Sequence, residues 1–108
     1  MELREYADGS GRSPFAQWFL VQDAHVAAKI TIRLTRLALG NHSNVEAVGQ
    51  GVSELKIDFG PGFRIYFARD GLDLVILLTG GTKVRQTNDI ATAKSYWADY
   101  KSRKKGPV

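Results

Sequence analysis

The chain has no cysteine among its 108 residues and only two histidines, His25 and His42. Disulfides, thiol nucleophiles and cysteine-based zinc sites are excluded, and the two histidines make no metal-ligand spacing. No metal or cofactor is expected, so any chemistry falls to lysine, arginine, carboxylate, hydroxyl or imidazole groups. No apolar run approaches the roughly 18 residues that a membrane helix needs. The start, MELREYADGSGR, is acidic and glycine-containing, unlike a secretory signal. A soluble, cytoplasmic protein with no membrane partner is the expectation. Repeats, linkers and low-complexity tracts are also missing, so residues 1–108 read as one domain whose end, residues 101–108 (KSRKKGPV), is a flexible basic tail.

What is present is a core and an uneven charge. An apolar content of 44%, with 10% aromatics, is enough for one compact core. The net charge is +4, but residues 1–55 carry five cations against six acids, whereas residues 56–108 carry ten cations against five acids. A positive field confined to one half of a domain favours a polyanionic partner, nucleic acid first.

The pattern along the chain predicts an α+β domain. Residues Glu2–Ala7 alternate weakly as a first strand. Ser13-Pro14 then opens a helix, with serine as cap and proline preset for the first helical position. Asp23 caps a second helix, from Ala24 to Leu39, buried along Val26, Ile30, Leu34 and Leu37 and stopped at Gly40-Asn41. The two helices suggest a hairpin laid across a sheet. His42–Gln50 reads as a loop with room for a short strand at Val45–Val48. A last helix begins near Thr87 or Asn88, with Ile90, Ala93, Trp97 and Tyr100 as its apolar stripe.

Between these helices lies a strand meander. Leu55, Ile57 and Phe59 share one face of a pleated strand, and Phe63, Ile65 and Phe67 resume that face after the turn Gly60-Pro61-Gly62. The opposite face then carries Lys56, Arg64 and Tyr66. A hairpin centred on Pro61 places Arg64 opposite Asp58, a possible cross-strand ion pair. Leu74–Leu78 is apolar without a break, as in a central strand buried on both sides. It runs into Gly80-Gly81-Thr82-Lys83, where the absence of two side chains lets a ligand or a neighbouring backbone approach closely. The order is β-α-α-β-β-β-α, a small, mostly antiparallel sheet with a helical hairpin and a C-terminal helix.

Several segments, in order, resemble one family: REY at the start, RSPFAQW in the first helix, RLALGN closing the second, then GVSEL, GPGFRIYF and GGTKVRQTNDI before a tryptophan-bearing last helix. Together they are similar to the phage-derived addiction-module killer proteins, HigB-type members of the RelE/ParE toxin superfamily. The resemblance implies the RelE/ParE-like fold and the toxin component of a type II toxin-antitoxin module. It further implies a ribosome-dependent mRNA endoribonuclease that blocks translation by cutting mRNA in the ribosomal A site. A cognate helix-turn-helix antitoxin, which alone contacts operator DNA, would neutralise it. The ParE branch of the superfamily instead inhibits DNA gyrase without nuclease chemistry, and fold alone does not choose between them.

Metal-free cleavage of RNA needs a group to deprotonate the 2′-hydroxyl, charge to stabilise the phosphorane, and a proton for the departing 5′-oxygen. The expected catalytic set is Lys56, Arg64 and Lys83. Lys56 is the candidate base, its pKa lowered by the other two cations. Arg64 matches the arginine that follows the glycine-aromatic pair in the ribonuclease toxins. Their tyrosine near the start of the last helix has no counterpart among Gln86, Thr87, Asn88 and Asp89, which leaves the general acid open, with Asp89 or a histidine as substitutes. RNA contacts are expected from Tyr66 by stacking, from Arg69, Arg85 and Gln86, and from Lys29, Arg33 and Arg36 on the second helix. The bland readings are a sheltering role for Tyr66, a capping role for Gln86 and Asp89, and a solvated helix face for the second-helix cations.

Overall fold

A computed structural model describes residues 1–104. Its strands are β1 (Glu2–Glu5), β2 (Val45–Gly49), β3 (Val52–Ile57), β4 (Phe63–Arg69) and β5 (Leu74–Thr82), and its helices α1 (Pro14–Leu20), α2 (Ala24–Ala38) and α3 (Gln86–Lys104). Both predicted caps form, since Ser13 Oγ accepts from the amide of Ala16 and Asp23 Oδ1 from that of Val26. The strands make one sheet in the order β1-β5-β4-β3-β2. β1 runs parallel to β5 and every other neighbour is antiparallel. The protein is thus an α+β domain with a mixed five-stranded sheet, one strand more than the predicted order, because Val45–Gly49 pairs along β3 as an edge.

The two faces of the sheet have different covers. Phe15, Val26, Ile30 and Leu37 of the α1–α2 hairpin pack on Leu55, Ile57, Ile65, Phe67, Val75 and Leu77. Ala93 and Trp97 of α3 pack on Val52, Tyr66, Ala68, Ile76 and Leu78 from the other side. Leu74–Leu78 therefore needs apolar residues in both phases of its alternation, which explains the unbroken run. None of the described helices is long and apolar enough to cross a membrane.

The glycines before Lys83 serve this packing rather than ligand approach. A Cβ on Gly80 would lie under 3.0 Å from three carbons of the Trp18 ring, and one on Gly81 would collide with Oδ2 of Asp89. Gly80 admits α1 to the sheet and Gly81 admits the start of α3.

The basic end is not a tail over residues 101–104, which continue α3; residues 105–108 lie outside the described residues. Two carboxylates fasten this last stretch. Asp99 Oδ2 accepts from the Tyr6 hydroxyl at 2.6 Å and pairs with Arg103 at 2.7 Å, and Asp70 accepts from the Tyr100 hydroxyl at 2.5 Å and pairs with Lys104. The Tyr6 bond and Arg103 hold Asp99 below its ordinary pKa, and Lys104 and the Tyr100 bond do the same for Asp70. Carboxylates lowered on folding stabilise the protein above their unfolded pKa, and that contribution disappears as pH falls through the folded values. Hydrogen exchange on lowering the pH below about 4 should therefore show α3 amides after Trp97 losing protection before those of β3–β5. An Asp70→Asn, Asp99→Asn double variant should show weak protection there at every pH.

Candidate functional site

The hairpin between β3 and β4 turns through Asp58–Gly62, with Ile57 paired to Phe63 and Lys56 directly opposite Arg64. The centre is Gly60, not Pro61, and this corrects the expected partner of Arg64 from Asp58 to Lys56. Gly60 and Gly62, at φ 57° and 81°, both occupy the left-handed region, so the turn takes its direction from two glycines rather than from the proline. A shift of the centre by one residue moves the pairing by two, which keeps every side chain on its expected face.

A cleft of about 300 Å³ opens over this turn, lined by Asp58–Gly62, Arg64 and Lys83. The amide of Lys83 donates to the Gly62 carbonyl at 2.9 Å, which fixes the residue after β5 beside the hairpin tip. Arg64, 5% exposed, forms the floor. Its Nη1 donates to the Phe63 carbonyl at 3.1 Å, while Nε is buried without a hydrogen-bond partner. Among the described residues neither Arg64 nor Lys83 makes an ion pair. Glu54, diagonal to Arg64 across the β3–β4 pairing, spends both carboxylate oxygens on Nε2 of Gln86, at 2.9 Å each. A buried guanidinium that makes no direct ion pair among the described residues, in a cleft lined by a second cation as well as by the Asp58 carboxylate, can receive an anion.

Lys56 stands next to this pair on the sheet but is turned to β2, where its ammonium meets Glu46 at 2.5 Å. The bond to Glu46, and then the Glu46 charge, raise its pKa, and the small opposing effect of Arg64 does not reverse that. The lowering expected of a catalytic base is thus replaced by the contrary shift, caused by a carboxylate on β2, whose pairing beside Lys56 the sequence does not show.

The other expected contacts divide. Tyr66 is fully buried under α3, its hydroxyl without a hydrogen-bond partner, and burial pushes its pKa up, so its ring is core rather than a base-stacking surface. Gln86 bridges α3 to Glu54 and is likewise committed to the fold. Arg69 lies at the opposite end of β4 from Arg64, about 17 Å away at strand rise, and donates to Met1 Sδ. Arg85 is exposed, with Asp89 at 3.9 Å. Asp89 itself packs over Gly81, the residue paired with Arg64, and burial raises its pKa against the lowering by Arg85.

Lys29, Arg33 and Arg36 line a second cleft, between α2 and the end of β3, which shares Asp58 and Phe59 with the first. Arg33 is a strut within it, donating to the carbonyls of Ser43 at 3.0 Å and Lys56 at 3.4 Å. Phe59 and Glu54 were not singled out by the sequence. Phe59 reads there as one more apolar residue, and the partner that makes Glu54 notable is 32 positions away. The one available signal was an aromatic set at the mouth of a glycine turn.

The fold and site define a class, a small α+β domain whose sheet ends in a cationic cleft. No family model matches the chain. An uncharacterized protein of Haemophilus influenzae is 41% identical over 81 residues, which span 74% of this chain and 82% of that protein. The chain belongs to the same family as that protein.

Proposed function

We propose that this chain is the toxin of a type II toxin-antitoxin module, a HigB-like member of the RelE/ParE superfamily that cuts mRNA on the ribosome. The observation that carries the reading is the buried, unpaired guanidinium of Arg64 beside Lys83 in the hairpin cleft. The ordered segments quoted above, from REY to GGTKVRQTNDI, supply the family, and the α+β architecture is compatible with it.

In this reading the scissile phosphate enters the cleft. The Nη end of Arg64 and the Lys83 ammonium hold its non-bridging oxygens as charge grows on the phosphorane, the largest contribution that preorganised cations make. Lys56 keeps its proton and adds field from the next strand, so the Asp58 carboxylate, which lines the cleft, is left to take the proton of the attacking 2′-hydroxyl. The carboxyl of Asp89, held above its ordinary pKa by burial and packed over Gly81, the residue paired with Arg64, is the group we assign to give a proton to the leaving oxygen. A helix-turn-helix antitoxin would neutralise the enzyme by covering the cleft.

Primer extension on a defined mRNA, translated with purified components with and without the protein, tests this. New 5′ ends inside codons, seen only when ribosomes are present, are the expected result. Intact mRNA together with arrested growth and DNA damage would replace the reading with gyrase inhibition.

A further inference from the structure

Between the two clefts stands Phe59. Phe63 stacks behind its ring at 6.4 Å and 24°, and His25 meets it in a T-shaped contact at 5.1 Å, so the ring is held in place. Over it, 5.0 Å from the ring centroid, sits the ammonium of Lys29. On one side lies the Arg64–Lys83 cleft; on the other lies a cleft of the same size, about 300 Å³, whose cations come from α2. Among the described residues Lys29 and Arg36 make no ion pair and their side chains no hydrogen bond, so the Lys29 charge is engaged only by the Phe59 ring.

Cation, aromatic, cation is the sequence of chemistry along a single nucleic-acid strand, whose charged phosphates alternate with flat bases. We infer that the second cleft is a subsite for single-stranded RNA, which takes the nucleotide next to the phosphate held by Arg64 and Lys83. Its base stacks on Phe59 and its outer phosphate is bound by Lys29 and Arg36. The inference rests on the ribonuclease reading and adds to it the direction in which the strand leaves the cut. A base arriving on Phe59 takes the place of the Lys29 ammonium, whose flexible stem carries it to the adjoining phosphate. Asp58, shared by both clefts, offers the strand an acceptor for a 2′-hydroxyl, the group that separates RNA from DNA.

Fluorescence anisotropy with a short labelled RNA of mixed sequence, without ribosomes and over a range of salt, tests the subsite. Phe59→Leu should weaken binding about tenfold with no change in salt dependence, as the loss of one stacked base requires. Phe59→Tyr, which keeps the ring, should bind as the wild type does. Lys29→Met should weaken binding and also reduce the salt slope by about 0.7, the value for one phosphate contact on a single strand. DNA of the same sequence should bind less tightly than the RNA. The inference is overturned if the wild type does not bind the RNA at low salt, if Phe59→Leu binds as tightly as Phe59→Tyr, or if polyglutamate competes as well as RNA does. Ribosome-dependent cleavage alongside binding indifferent to Phe59 would remove the subsite alone. Absence of cleavage alongside Phe59-dependent binding would remove the nuclease instead.

Discussion

Arg64→Met should lose cleavage and gain stability in the same molecule. The guanidinium is buried, pairs with no carboxylate, and leaves Nε without an acceptor. An unsatisfied buried polar group costs about 1–3 kcal/mol, more when it is charged. Methionine fills much of the same volume without that cost, so the melting temperature should rise by about 5 °C or more, given that 1 kcal/mol moves a domain near this size by about 4–8 °C. In the translation assay the same variant should fall by about 10²–10³, the usual loss when one preorganised donor to a developing oxyanion is removed. Arg64→Lys should recover little, because an ammonium cannot reproduce a fork fixed by the Phe63 carbonyl. If Arg64→Met melts lower than the wild type, the residue is a structural element, and the reading of the cleft as an anion site loses its support.

Gly80→Ala is expected to be the most damaging single methyl group in the chain. Its Cβ would fall within the Trp18 ring, and that ring is also packed against Phe15 at 5.9 Å and Phe63 at 6.5 Å, so it can yield only by giving up those contacts towards solvent. Overpacking of this kind costs about 1–3 kcal/mol and sometimes more. Urea titration should show the midpoint falling with the slope unchanged. Adding Trp18→Leu should return part of the loss, which makes the pair non-additive. Gly81→Ala should cost less, because the colliding atom is the end of the Asp89 side chain, although it moves that carboxyl away from the strand of Arg64.

Much of the fold is legible because its signals are local. Ser13-Pro14 and Asp23 announce two helices, and the alternation in Leu55–Ile57 and Phe63–Phe67 announces the meander with its faces assigned. Val45–Val48 shows only as room for a short strand within a loop, because the segment is an edge with no fully buried residue, and edges lack the apolar alternation that marks a strand. Its pairing along β3 is what the sequence does not show. Without that pairing there is no Glu46 beside Lys56, and the lysine reads as a free base. Tyr66 stays open for a related reason: alternation places it on the face away from the helical hairpin, where it could stack on a base or shelter the sheet, and the docking of α3 decides for burial. The closeness of Arg64 and Lys83 is legible in the sequence, since two strands and two turns suffice to bring them together.

The parallel pairing of β1 with β5 joins Glu2 to Leu74, about two-thirds of the chain apart. A contact between residues so distant in sequence has a large loop to close and forms late in folding. During synthesis the α1–α2 hairpin emerges long before β5, the strand whose Gly80 receives Trp18, and Lys83 leaves the ribosome later still. The cationic cleft is therefore among the last parts of the molecule to be assembled.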